Sequence, residues 1–477
     1  MRVYCSILLL LVAATAFCQS AFIRTYGMEG TFNEGKGIVA FSDSTYILLG
    51  NRQTIGGQSS AWLFKVDSAG TILWEKYFLN YTLSSAENLA RHDDTSVVIT
   101  GTALQGTDYS AFAARVSLSG NLLWEKTFGT NVWDAGYCSV SDNDGNVWVT
   151  GLSMGYDTLG QDVMLYKLNG STGDSIQYRR IDCGFNDKGV YLDTASNNNI
   201  LLATHSYSAA ADSNMSRIWR FDYNMDTVWT WAPVIDSADF LINCLFEDIY
   251  QRIVYSGDMK PDTGSVYRLW YGFLSSAGSF MWELFQPPYY LKNIRRGIID
   301  SSNNYYFTGG IFPYYFGFGN SDVGFWRDSA GWVNYRYFGA LQDEEGMDLD
   351  FAADGGLAFI GTTKSFGPGV NNIFLVKISA DGTFNDADYI HYTPALSAES
   401  VDAKLYPNPC RGSFRIEIPD EYECRIDIFN LQGMHVVSDR YQSGETYTLR
   451  GLNNGVYLIK VTSEHQSYNF RLLLQQD

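Results

Sequence analysis

The sequence predicts an all-β protein, a seven-bladed β-propeller followed by a small C-terminal β-sandwich. Three observations carry this. One pattern of four short strands returns seven times at intervals of about 50 residues. No convincing helical periodicity appears after the first 20 residues. Beyond residue 404 the interval is lost and short alternating strands take over.

Residues 1–20 read as a signal peptide. Arg2 supplies the positive end, Ile7–Ala14 the apolar stretch, and "ATAFCQSA" the small residues for cleavage near Cys18 to Ser20. The apolar run is too short to span a bilayer. A lipidated Cys18 is disfavoured by Phe17, which stands where such signals want a small residue. The formal net charge is -19, and the signal peptide removes only the charge of Arg2. An anionic surface of this size repels phosphate backbones, so nucleic acid is excluded as a partner.

The repeat is clearest in "GTILWEK" (70–76) and "GNLLWEK" (120–126). Its glycine recurs as Gly70, Gly120, Gly173, Gly278, Gly331 and Gly382, with Met225 in the fourth copy. A second column ends a buried strand, with Gly50, Gly101, Gly151, Ala203, Gly257, Gly309 and Gly361. A third is basic: Lys65, Arg115, Lys167, Arg220, Arg327 and Lys377, missing only in the fifth copy. Runs such as "TYILLG" and "VWVTG" are apolar on both faces, as a strand covered on both sides must be. A lone four-stranded unit cannot cover both faces, so neighbours must stack, and a closed ring leaves no unit exposed. The copies fill residues 21–392. They resemble bacterial secreted propeller repeats more than kelch repeats, whose double glycine is mostly missing. "FIRTYG" (22–27) resembles the outer-strand segment "WEKTFG" and competes with "DADYIH" (386–391) to complete the last blade.

Residues 393–404 read as a linker. The tail, 405–477, holds "YPNP" (Tyr406, Pro407, Asn408, Pro409), then Gly412 and Phe414, "IDIFNLQG" ending at Gly433, and "LNNGVYLIKV" with Gly455 and Tyr457. In this order the motifs resemble the C-terminal sorting domain of type IX secretion cargo from Bacteroidetes. That resemblance implies export by the type IX machinery and removal of the tail by a surface sortase. The product is then secreted or held at the outer-membrane surface. The final "LLLQQD" is less basic than many such tails. Five cysteines lie outside the signal peptide. Cys410 and Cys424 are the closest pair, and a strand with its own hairpin places them out of register for a disulfide.

Candidate chemistry is sparse. "GLSMG" (151–155) fits a nucleophile-elbow pattern, but Gly151 belongs to the strand-ending column and no helix follows. "SDNDGN" (141–146) has calcium-like spacing without the closing glutamate and reads as a hairpin turn. The histidines at 92, 205, 391, 435 and 465 are isolated. Glu34, Asp134, Asp187, Asp239 and Glu345 recur at the start of the innermost strand, with Glu87 and Asn293 near the same position. A carboxylate ring there would hold calcium, and local turn capping is the competing reading. Aromatic loops carry Tyr289, Tyr290, Phe312, Tyr314, Tyr315, Phe316 and Phe318, suited to stacking on sugar rings or to a protein partner. The function expected is therefore extracellular binding or adhesion to a glycan or protein, without cofactor. The alternative is a polysaccharide hydrolase or lyase using two carboxylates.

Overall fold

The computed structural model describes residues 21–475 apart from 131, 155–159, 185, 209–212, 234–237, 262–267, 286–290, 312–320, 330–331, 340–341, 380–403, 419–422, 431–434 and 463–466. Residues 1–20, expected as a signal peptide, the expected linker up to Ala403 and "DADYIH" lie outside these residues. The chain is all-β: among the described residues the only helical element is the short 3-10 turn Ser196–Asn198.

Each of the first six sequence copies becomes one antiparallel four-stranded meander. In the first, Thr31–Ala40 pairs with Tyr46–Thr54, which pairs with Ser59–Val66, which pairs with Ile72–Tyr77. The innermost strands of the others are Leu83–Asp93, Trp133–Ser141, Asn186–Ala195, Ala238–Glu247, Leu291–Ile299 and Glu344–Phe351. The second and third sheets are stitched by one parallel pair, Trp133 with Tyr109. Each innermost strand touches the next, and Glu344–Phe351 touches Thr31–Ala40, so the contacts run in a circle. The result is propeller-like.

The cores lie between sheets. Ile47, Leu49 and Leu63 of the first sheet pack on Val97, Ile99 and Phe112 of the second. Ile38, Leu48 and Phe64 pack on Ile360, Ile373 and Leu375 of the seventh. This is why the strands read apolar on both faces.

The N-terminal strand Phe22–Tyr26 decides the competition for the last sheet. It pairs along Ile373–Lys377 as that sheet's outermost strand. The sheet therefore combines one strand from the start of the ring with three from its end.

The columns now have physical meanings. Gly70, Gly120, Gly173 and Gly278 all sit at positive φ in the outer hairpin turn, and Met225 adopts the same conformation at φ 61. A Cβ on Gly120 would lie 3.0 Å from Trp74 of the preceding sheet. Trp74 donates its Nε1–H to the Leu118 carbonyl at 3.0 Å. Trp124 does the same to Gly170 (2.8 Å) and Trp229 to Ser276 (3.0 Å). Where the third sheet has Gln177 instead, its amide and Arg179 reach the carbonyls of Asn224 and Met225. At the seam, Tyr26 donates its hydroxyl to the Gly70 carbonyl at 2.8 Å. The basic column serves the same joints: Arg115 reaches Gly170, Lys167 reaches Tyr223 and Arg220 reaches Ser276. In the fifth copy Phe273 replaces the base. Arg252 from the adjoining turn lies 4.7 Å over its ring and bonds Asp248 and Tyr305.

The tail makes two sheets. One holds Lys404–Tyr406, Ser413–Glu417 and Thr446–Thr448. The other has the order His435–Gln442, Glu423–Asn430, Gly455–Thr462, Ser467–Leu474. They share one core that includes Phe414 and Ile416 from the first and Ile426, Ile459 and Leu472 from the second. Asn408 accepts from Leu473 N at 2.8 Å, and Cys410 exchanges backbone bonds with Leu473 and Gln475. The proline-rich motif thus clasps the last strand. Gly412 takes φ 113 at the turn into the next strand, and Tyr457 donates to the Asn453 carbonyl at 2.8 Å. Gly455 opens its strand, while Gly433 lies outside the described residues. Cys410 and Cys424 are both thiols. Cys410 bridges Leu474, beside Gly455 near the Asn430 end of the sheet, and Cys424 lies at the opposite end. About six residues of strand, ~20 Å, separate those ends, beyond disulfide reach.

Two stability changes follow from the joints. Gly120→Ala should cost about 1–2 kcal/mol in urea unfolding, from strain at positive φ and the Trp74 contact. Tyr26→Phe should cost about 1 kcal/mol, the worth of one buried hydrogen bond. No change in either urea midpoint would contradict these roles.

Candidate functional site

Every innermost strand carries a β-bulge. Register shifts fall between Gly35 and Gly37, Ala86 and Asn88, Gly136 and Cys138, Gly189 and Tyr191, Ile242 and Cys244, Lys292 and Arg296, and Gly346 and Asp348. The extra residues include Lys36, Glu87, Tyr137, Val190, Asn243, Arg295 and Met347. All seven line one cavity of about 230 Å³. A bulge bends its strand and re-aims one side chain. Here it turns one residue from each sheet toward a common space. A small residue precedes most of these bulges because adjacent sheets approach there. A Cβ on Gly189, for example, would strike the Thr150 hydroxyl.

The cavity wall is tied together by Arg296. Its guanidinium bonds the Tyr191 hydroxyl of the fourth sheet and lies 3.3 Å from Asp348 of the seventh. Asp348 also accepts from Ile38 N of the first sheet at 3.0 Å. Burial pushes the Asp348 and Asp193 carboxyls up to about 6, against the opposing pull of Arg296. Burial also pushes the thiols of Cys138 and Cys244 up to about 11 and about 12, so neither is a ready nucleophile. His205 is held down to about 4 by burial and bonds the Ile242 carbonyl.

The acidic column divides. Glu34 and Glu345 stand opposite Asn51 and Thr362, one step beyond the marker glycines. Asp134 stands opposite Ser153, two steps beyond, and therefore on the other face of its sheet. The fourth copy's true register residue is Thr204, opposite Gly189, so Ala203 is displaced from the marker column. Asp187, opposite Ser206, then shares the face of Asp134. Both are fully buried and cap the preceding loops, accepting from Thr130 N and Cys183 N. Asp239 caps Asn214 N at 2.8 Å. Glu87 is a bulge residue, and Asn293 belongs to the longer bulge of the sixth sheet. A single carboxylate ring is thus not formed: strand alternation sends its members to two faces, and the competing capping reading fits the bonds. Asp187 does approach Asp162 and Asp182, but Arg180 already lies 2.6 Å from Asp162 and 3.5 Å from Asp182.

At the cavity, Lys36 pairs with Glu34 (3.5 Å) and Glu87 (3.1 Å), and Arg295 with Glu345 (2.7 Å). Lys188 lies opposite His205, the register position held by Glu34 and Glu345 in their sheets.

The seven aromatic candidates, Tyr289, Tyr290, Phe312, Tyr314, Tyr315, Phe316 and Phe318, lie outside the described residues. Exposed aromatics that are described include Tyr109 and Trp133, with rings 6.3 Å apart, at the ends of strands of the second and third sheets. "SDNDGN" is a hairpin turn: Asp142 accepts from Asn146 N (2.8 Å), Asp144 N (3.0 Å) and Trp148 Nε1 (3.0 Å). Ser153 of "GLSMG" sits within a strand, not on an elbow. The bulge residues were the signal missed in the sequence. Gly35, Gly136, Gly189 and Gly346 form a glycine column of their own, each followed by the residue that lines the cavity.

Residues 404–475 match the family model described as a secretion system C-terminal sorting domain, and the tail is such a domain. No curated protein matches the chain. Among solved structures, PorZ, described as an essential bacterial surface component of the type-IX secretion system of Porphyromonas gingivalis, is similar at 10% identity and TM-score 0.43. That match covers 92% of this chain and 59% of PorZ. The Dos1 propeller matches at 11% identity and TM-score 0.43, over 77% of this chain and 96% of its own. The β-propeller domain of the Trilobed protease from Pyrococcus furiosus matches at 9% identity and TM-score 0.43, over 79% of this chain and 100% of its own. The present chain therefore spans less than two thirds of PorZ. No helix among the described residues is long and apolar enough to cross a membrane.

A carboxyl bonded to the cavity wall also predicts a pH dependence. Burial pushes Asp258 up to about 6, opposed by bonds from Asn293 N (2.7 Å) and Asn243 (2.8 Å). Its carboxyl keeps a proton to higher pH when folded than when unfolded. The stability this gives is complete below the ordinary value and lost as pH rises through about 6. Between pH 4 and pH 7 the stability of Asp258→Asn relative to the parent should therefore improve by about 2–3 kcal/mol. Urea unfolding at the two pH values measures this; an unchanged difference would refute it.

Proposed function

We propose that this protein is an extracellular binding protein: a seven-bladed β-propeller delivered by a detachable C-terminal β-sandwich. In this reading the signal peptide 1–20 takes the chain to the periplasm. The type IX machinery then recognises the tail, and a sortase removes it at or before Lys404. The product is secreted or held at the outer-membrane surface.

The carrying observation is the cavity lined by one bulge residue from every sheet. The joint columns are nearly uniform between copies because every joint does the same mechanical work. The seven bulge residues are Lys, Glu, Tyr, Val, Asn, Arg and Met. A position that repeats in architecture but not in chemistry is suited to recognising an asymmetric ligand. The aromatic loop residues Tyr289 to Phe318 are included in the reading as a second contact surface, on the sequence argument alone.

The cavity's carboxylates favour binding over catalysis. Glu87 is engaged by Lys36 and Ser85. Asp348 is engaged by Arg296, Ile38 N and Leu349 N. Hydrolysis of a glycosidic bond needs two carboxyls presented to one bond. The raised Asp348 is the one feature that favours the hydrolase or lyase alternative.

Two experiments test this. Deleting residues 404–477 in a type IX-competent host should leave the protein in the periplasm, while the full chain becomes accessible to added protease; unchanged surface delivery would overturn the export reading. The full chain on a panel of glycans and extracellular proteins should bind without releasing products. New reducing ends or unsaturated sugars would support the enzyme instead.

A further inference from the structure

The cavity is cationic within an anionic protein. Its lining holds Lys36, Lys188, Arg295 and Arg296 against Glu87 and Asp348, while the chain carries -19 overall. Three of the four cations are already neutralised: Lys36 by Glu34 and Glu87, Arg295 by Glu345, and Arg296 by Asp348. Lys188 is different. Among the described residues it makes no ion pair and no side-chain hydrogen bond. It stands where the first and seventh sheets place Glu34 and Glu345, so the fourth sheet exchanges an acid for a base at the same register. Its ammonium lies 6.0 Å from the centre of the Tyr137 ring. Its side chain stays exposed to solvent, and partial desolvation, with the like charge of Arg295 beside it, lowers its pKa. An unpaired cation beside a second cation lacks a counter-charge, which a bound anion would supply.

The remaining lining fits a sugar ring. Tyr137 offers an aromatic surface, and a sugar's apolar ring face packs on such surfaces while its hydroxyls take amides such as that of Asn243. A space of about 230 Å³ is below the usual range for drug-sized ligands, roughly 300–1,000 Å³. It therefore suits one ring at the end of a chain.

We propose that this cavity binds the terminal residue of an acidic saccharide, its carboxylate held by Lys188 beside Arg295 and its ring against Tyr137. The inference rests on the binding reading above and adds the ligand's charge. Its affinity should fall with salt, because an ammonium–carboxylate contact open to solvent is screened.

Calorimetric titration of the full chain tests it with three probes: digalacturonate, its carboxyl-reduced neutral counterpart, and an acetylated dipeptide with a free C-terminal carboxylate. Digalacturonate should bind, and the neutral sugar should bind at least about tenfold more weakly. Lys188→Met should weaken digalacturonate by about tenfold or more, Lys188→Arg should retain most of the affinity, and Tyr137→Ala should weaken both sugars. Far-ultraviolet circular dichroism and urea midpoints matching the parent establish that the variants are folded. If Lys188→Met does not fold, loss of binding with salt and retention in Lys188→Arg carry the test. Equal binding of charged and neutral sugars overturns the anionic inference but leaves the binding reading standing. Binding of the peptide carboxylate alone overturns it in favour of a peptide ligand. No binding of digalacturonate overturns it outright, and the glycan and protein panel then judges the broader reading separately.

Discussion

The pairing of Phe22–Tyr26 with Asn372–Ile378 is the contact on which the rest depends. It joins residues about 350 apart in sequence. Without it the seventh sheet has three strands, and the Gly70 turn loses Tyr26. The core between the first and seventh sheets also loses Phe22 and Tyr26. The entropic cost of closing so long a loop grows only slowly with its length, so one well-packed strand can offset it. Once that seam is closed, every sheet has two covered faces.

The joints between sheets are one interaction written several ways. A tryptophan on the outer strand gives its indole N–H to the next sheet's turn, and a residue at positive φ leaves room for its ring. Gln177 with Arg179, and Tyr26 at the seam, perform the same task with other donors. Arg252 replaces the missing base of the fifth copy from an adjoining turn. The requirement is a donor at a fixed place, not a particular residue. That tolerance lets the repeats diverge in sequence while keeping their geometry.

Near the centre the logic is inverted. The bulges recur in every blade-like sheet, yet no two of the residues they expose are of the same type. Strand alternation then sorts the neighbouring polar residues. Asp134 and Asp187 face inward to cap loops, while Glu34, Glu345 and Lys188 occupy the opposite face, beside the cavity. The tail follows a third logic, in which Asn408 and Cys410 bind the final strand so that both ends of the domain are held together.

The sequence by itself determined the all-β class, the recurring strand unit and the sorting tail. These rest on local chemistry: turn glycines at positive φ, β-branched runs, and the ordered motifs from Tyr406 to Tyr457. It left open which strand completes the last sheet, because "FIRTYG" and "DADYIH" are equally good strands and only long-range pairing distinguishes them. It also merged Glu34 with Asp134, which lie one residue apart in register but on opposite faces. A one-residue difference is invisible in a column aligned by spacing and decisive once strands pair. The cavity was hidden for the same reason. A bulge is a mismatch between two strands, so Lys36, Tyr137 and Arg295 acquire a common direction only when each strand meets its partner.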